Sequence, residues 1–141
     1  MYKLRYSKAS PYVRKILLCV HHLGLENKVT IENADTSDPQ DTLYNQNPTG
    51  RIPVLIKQDG TSLYDSRVIM DFLERQSDKF LFPEAGDARD IALTQAALVE
   101  GLIDSAILWV YAERYSGDQP VPELWRSRHQ EKLKNGCDYL E

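Results

Sequence analysis

Apolar and polar positions alternate with a period of two from Tyr2 to Tyr6, which predicts a short strand. Ser7-Lys8-Ala9 interrupts the alternation, and Ser10-Pro11 opens a different pattern. A hydroxyl N-cap and a proline at the first helical position lead into Val13, Ile16, Leu17 and Val20 at helical spacing, ended by Gly24. From Lys28 to Glu32 the alternation returns, with Val29 and Ile31 set against polar neighbours. This second strand is expected to run parallel to the first through a right-handed helical crossover. Asp38 to Gln46 is rich in capping and turn residues and reads as a weak helix or an irregular segment. It leads into the loop Asn47-Pro48-Thr49-Gly50.

Pro53 to Lys57 and Thr61 to Tyr64 are two further strands, joined by the hairpin signal Gln58-Asp59-Gly60 and therefore antiparallel. Asp65 and Ser66 can cap a helix that places Val68, Ile69, Phe72 and Leu73 on one face and closes near Ser77. The order is βαβ, a variable segment, then ββα. Pro83 marks a linker pinned by Phe80, Leu81 and Phe82. Beyond it, Asp87 to Tyr115 lacks proline and carries Ile91, Leu98, Leu102, Ile103, Ala106, Ile107 and Val110 on a broad apolar face, as one helix of about eight turns. Gly117 and Pro120 break the chain, and Pro122 to Leu140 resumes a helical pattern through Leu124, Trp125, Leu133 and Tyr139. The expected domains are 1–79 (α/β), 80–86 (linker) and 87–141 (partial all-α). Two helices alone leave wide apolar faces for another chain or segment to cover.

Composition narrows the field. At 141 residues the chain is one domain, or a small domain with part of a second. The net charge is −4 and both signs are interleaved, so the concentrated basic field needed for nucleic acid or an anionic membrane is absent. No uninterrupted apolar run approaches the roughly 20 residues of a bilayer span, and the N-terminus has no signal-peptide core, so the expected location is cytoplasmic. Cys19 and Cys137 lie far apart, without metal-ligand spacing or a Cys-x-x-Cys, as in a reducing compartment. His21 and His22 point to different sides of a helix and His129 stands alone, so no metal site is expected.

The strand–helix order, with a proline just before the third strand, is that of the thioredoxin fold. Ser-Pro-Tyr-Val-Arg-Lys (Ser10 to Lys15), Asn-Pro-Thr-Gly-Arg-Ile-Pro-Val-Leu (Asn47 to Leu55) and Asp-Ser-Arg-Val-Ile (Asp65 to Ile69) make a narrower match. In order and spacing they resemble the cytosolic glutathione S-transferases with serine at the Ser/Cys-Pro position, over residues 1–77 and more loosely beyond. The resemblance implies an α/β thioredoxin-like domain followed by a partial all-α helical domain. It implies a detoxifying transferase that conjugates reduced glutathione, its substrate, to a small hydrophobic electrophile without a metal. It further implies a homodimer formed through the third-helix region and the long fourth helix. Family members continue through further helices, so the helical domain is expected to be short here.

In that family the residue at the Ser10 position meets the sulfur of glutathione. A free thiol titrates near pH 8.5, and the thiolate is the nucleophile. A hydroxyl donating to sulfur at a helix N-terminus favours the anion, and lowering the pKa by two units asks for roughly 2.7 kcal/mol. Taken alone, Ser10 reads as a plain N-cap worth about 1 kcal/mol; the other two motifs reverse that preference. Ser7, at the end of the first strand, is the competing hydroxyl. By resemblance, Pro53 is a cis-proline, Ile52 pairs main chain to main chain with the cysteinyl part of glutathione, and Asp65 and Ser66 hold its γ-glutamyl end or simply cap the helix. Tyr12 lies beside glutathione or packs on the first turn. Arg51 reaches a glutathione carboxylate or is a solvated loop residue. Trp109, Tyr111 and Tyr115 line an electrophile pocket or belong to a core or interface, with Tyr111 and Tyr115 the pocket candidates. Serine in place of cysteine favours conjugation over thiol exchange. The alternatives are a non-catalytic glutathione-binding or protein-interaction module and a glutathione-dependent thiol reductase.

Overall fold

Four strands, β1 (Tyr2–Tyr6), β2 (Val29–Asn33), β3 (Val54–Ile56) and β4 (Ser62–Leu63), form one mixed sheet ordered β2-β1-β3-β4 in a computed structural model that describes residues 1–141. β1 and β2 are parallel, whereas β1–β3 and β3–β4 are antiparallel. The parallel pair is joined through α1 (Pro11–Leu23), the βαβ unit expected from the pattern. A four-residue α2 (Leu43–Gln46) precedes β3, and α3 (Ser66–Glu74) follows β4. The thioredoxin-like α/β arrangement is thus what residues 1–81 form, and two helices follow.

Side-chain alternation sorts the sheet into two faces. Leu4 and Leu55 are register partners and join Val13, Ile16, Val20, Leu23, Ile69 and Leu73 in the core beneath α1 and α3. Each such fully buried aliphatic contributes about 1.5–3 kcal/mol. Arg5 and Val54, the next register pair, face the other way and are also buried. Arg5 there meets Thr42 and Gln46, so α2 covers the second face.

Several expectations shift. Ile31 is 56% exposed because β2 is an edge strand whose outer positions nothing covers. Lys28 belongs to a 3-10 turn, Glu26–Lys28, rather than to the strand. Val68 is 47% exposed, because α3 buries the stripe Ser66, Ile69 and Leu73 and Val68 lies off it. Phe72 is half-buried and packs edge-on against Tyr2, with ring centroids 5.2 Å apart. The last two strands are shorter than the patterns suggest, and β3 begins at Val54 because Pro53 cannot donate to the ladder.

The chain separates into two compact units, Met1–Leu81 and Phe82–Glu141. In the second, α4 (Asp87–Tyr115) packs against α5 (Glu123–Leu140). The pairing is antiparallel: Arg126 bridges Glu113 at 2.9 Å, while Gly136 lies against Leu102. One neighbouring helix covers one stripe of so long a helix. Leu98, Leu102, Ile103, Ala106 and Ile107 are therefore half-buried, but Ile91 and Val110, expected on the same face, are exposed. An 18-residue window of α4 has a mean hydropathy of 1.5, enough by length and composition to cross a membrane. No uninterrupted apolar run reaches that length, because Glu100 and Asp104 interrupt it without lowering the average below that of a span. The core helix of a soluble protein meets the same test.

Candidate functional site

The strand register gathers the three motifs at one edge of the sheet. Arg5 of β1 pairs with Val54 of β3, and Leu55 of β3 pairs with Leu63 of β4. The C-terminal end of β1, the N-terminal end of β3 and the C-terminal end of β4 therefore share an edge. There the chain passes through Ser10 into α1, through Ile52 and Pro53 into β3, and through Asp65 and Ser66 into α3. The two helices pack against each other on one face.

Ser10 is half-buried and extended, at φ −79° and ψ 118°. Its amide donates to Ser7 O at 3.1 Å, and its Oγ accepts from Val13 N at 3.3 Å. A hydroxyl that accepts in this way keeps its own hydrogen to donate. The first turn of α1 carries no acidic residue, so nothing there offsets the positive potential of the helix N-terminus. Ser7 supplies a backbone acceptor to this cap and sits one turn of chain earlier. Tyr12 is half-buried, with Lys15 Nζ 5.9 Å from its ring centroid.

The loop before β3 is organised by Asn47, which is 3% exposed. Its Nδ2 donates to Arg51 O at 2.8 Å, and its Oδ1 accepts from Thr49 N at 3.0 Å and Thr49 Oγ1 at 2.9 Å. Gly50 closes the turn at φ 62°, where an added Cβ would lie 2.5 Å from the Tyr44 ring. The Ile52–Pro53 peptide is cis, as the resemblance implies. Ile52 rests half-buried against the core, Pro53 is buried and Arg51 is exposed.

At the start of α3, Asp65 Oδ1 accepts from Arg67 N at 2.9 Å and Oδ2 pairs with Arg67 Nη2 at 3.0 Å. The Arg67 side chain foremost, with its amide and the more distant charge of Lys15, holds the Asp65 carboxyl below its usual range. A cation arriving at Asp65 would share that carboxylate with Arg67. Ser66 is 2% exposed. Lys15 and Arg67 lie within the recognised runs, yet their charge at this edge emerges only when α1 and α3 are brought together. The Cys19 thiol, inside α1, is pushed up by burial and is a poor nucleophile.

Tyr111 and Tyr115 belong to the second unit, away from these motifs in the chain. Their rings meet edge-on at 5.8 Å and both are exposed. Trp109 is half-buried and donates from Nε1 to Glu113 at 3.3 Å. No group of three or more His, Cys, Asp or Glu is placed to hold a metal ion.

Residues 9–76 match the family described as glutathione S-transferase, N-terminal domain. An uncharacterized GST-like protein of Escherichia coli (strain K12), YibF, is 30% identical over 148 residues, which cover 99% of this chain and 68% of that protein. A glutathione transferase family member from Pseudomonas fluorescens Pf-5, solved with bound glutathione, superposes with a TM-score of 0.91 at 34% identity, over 100% of this chain and 70% of its own. The isoprene-epoxide–glutathione S-transferase of Rhodococcus sp. (strain AD45) is 30% identical over 100 residues, 71% of this chain and 38% of that enzyme.

Proposed function

Because this chain belongs to the glutathione S-transferase family, we propose that it conjugates reduced glutathione to a small hydrophobic electrophile. Residues 1–79 form the glutathione-binding domain, 80–86 the linker and 87–141 the helical domain. The observation that carries the reading is the convergence of Ser10, Ile52–Pro53 and Asp65–Ser66 on one edge of the sheet.

Ser10 donates its hydroxyl hydrogen to the glutathione sulfur while its oxygen stays bonded to Val13 N. The thiol proton is lost to solvent, the thiolate is thereby favoured, and its sulfur forms a bond to an electrophilic carbon as that carbon's bond to the leaving atom breaks, the electron pair of that bond going to the leaving atom. The epoxide in the name of the Rhodococcus relative is an electrophile of this kind. Main-chain groups of Ile52 hold the cysteinyl part as an added strand would. Asp65 takes the α-ammonium of the γ-glutamyl group, and Ser66 with the α3 N-terminus takes its carboxylate. Tyr12 lies beside the tripeptide. Tyr111 and Tyr115 contribute apolar surface for the electrophile, and two chains associate through α3 and α4.

The test is a titration with glutathione that follows the thiolate absorbance of the bound ligand in the wild type and in Ser10→Ala. The variant is expected to bind glutathione, to form thiolate only at higher pH, and to lose about 10²-fold in conjugation rate, as when one donor to a developing anion is removed. An unchanged rate would sink the role given to Ser10.

A further inference from the structure

We propose that Arg5 and Asp41 are a positioning pair that holds the loop carrying Ile52 in its ligand-binding geometry, acting through α2 and Asn47. The proposal rests on the glutathione reading for its kinetic consequence, but its structural part stands apart from it.

Arg5 is 3% exposed, on the face of the sheet opposite α1 and α3. Its Nη2 donates to both oxygens of Asp41, at 2.6 and 2.8 Å, and to Asn33 O at 3.1 Å. Nη1 reaches Gln46 Oε1 at 2.7 Å and Thr42 Oγ1 at 3.2 Å. The guanidinium therefore touches Thr42, just before α2, and Gln46, its last residue. Nε faces Glu32 Oε1 at 3.8 Å, within ion-pair range but beyond hydrogen-bond reach. Asp41 in turn accepts from Leu43 N at 2.8 Å and Asp35 N at 2.9 Å. The Asp35 amide foremost, and Arg5 with it, hold the Asp41 carboxyl below its usual range against the opposing effect of burial.

The residue after Gln46 is Asn47, whose amide bonds back to Leu43 O at 2.8 Å and whose side chain ties Thr49 and Arg51 together. Ile52 is next. An α2 of four residues has too few internal bonds to hold its own orientation. A planar fork that grips both of its ends supplies what the helix lacks, and a lysine cannot reproduce that grip.

The variants Asp41→Asn and Arg5→Lys test this in the full chain, with two readouts. Hydrogen exchange is expected to quicken at the Thr49 and Gly50 amides while α1 and α3 keep their protection. The KM for glutathione is expected to rise about tenfold, which is about 1.4 kcal/mol of binding, with kcat at saturating glutathione unchanged. Asn47→Ala should reproduce both effects. Unchanged loop exchange and KM in folded variants would overturn the proposal, as would a rise in KM matched by equal loss of α1 protection. If the wild type itself does not bind glutathione, the functional reading fails, and the exchange data still decide the clamp.

Discussion

Ser10 serves the fold and the proposed chemistry with different parts of one hydroxyl: its oxygen caps α1 through Val13 N, and its hydrogen remains for a ligand. The two uses can be separated. Ser10→Ala removes both and should cost about 1 kcal/mol of stability, whereas Ser10→Gly, a tolerable cap, should cost only about a few tenths. Both variants should lose the conjugation rate alike. Urea unfolding and steady-state kinetics on the pair check this; a rate that tracks stability instead would return Ser10 to the status of a cap. The cap and the proline after it were legible in the sequence because capping is local. In the sequence Asn47 is only a loop residue, since nothing in its neighbours says that its side chain is buried and tied to Thr49 and Arg51.

Among the elements, α1 follows its pattern closely, from the Ser10 cap to Gly24, whose φ of 70° and backbone bonds to His21 O and Val20 O close the helix. α4 was legible in extent but not in which of its apolar residues would be covered. That depends on α5, which lies close against Leu102 at Gly136. An added Cβ there would lie 2.3 Å from Leu102 Cδ2 and 3.0 Å from two further Leu102 carbons. Gly136→Ala should therefore cost about 1–2 kcal/mol by overpacking. In a Leu102→Ala background the same change should instead stabilise by up to about 1 kcal/mol, as alanine exceeds glycine in helix propensity. Thermal or urea unfolding of the four proteins measures the reversal, and two substitutions that simply add would refute the contact.

Across the whole molecule, Glu26, Asp35, Asp41, Asp59 and Asp65 all have lowered pKa values: backbone amides lead at Glu26, Asp41 and Asp59, the Ser37 hydroxyl at Asp35 and the Arg67 side chain at Asp65; Asp59 is lowered to about 2. A carboxyl with a lower pKa folded than unfolded contributes stability that is complete above its unfolded pKa. The contribution is lost as pH falls through the folded value. Urea midpoints should thus be level above about pH 5 and decline from about pH 4 towards pH 2. Flat stability over that range would contradict these pairings. Ile91 and Leu108 on α4 and Val68 on α3 are exposed in the single chain, and association of two chains should cover such surface. Sedimentation at twice the chain mass is the expected result, and a monomer at all concentrations would rule the dimer out. The order of strands and helices and the hairpin are legible from residue order alone, because period, capping and turn chemistry act over a few positions, whereas the three motifs stand out only through their resemblance to the family. By pattern Arg5 is one more polar position in an alternating strand, and Ile31 an apolar one set against polar neighbours. Their places were set by register and by which face each element covers, contacts between residues tens of positions apart that no local pattern encodes.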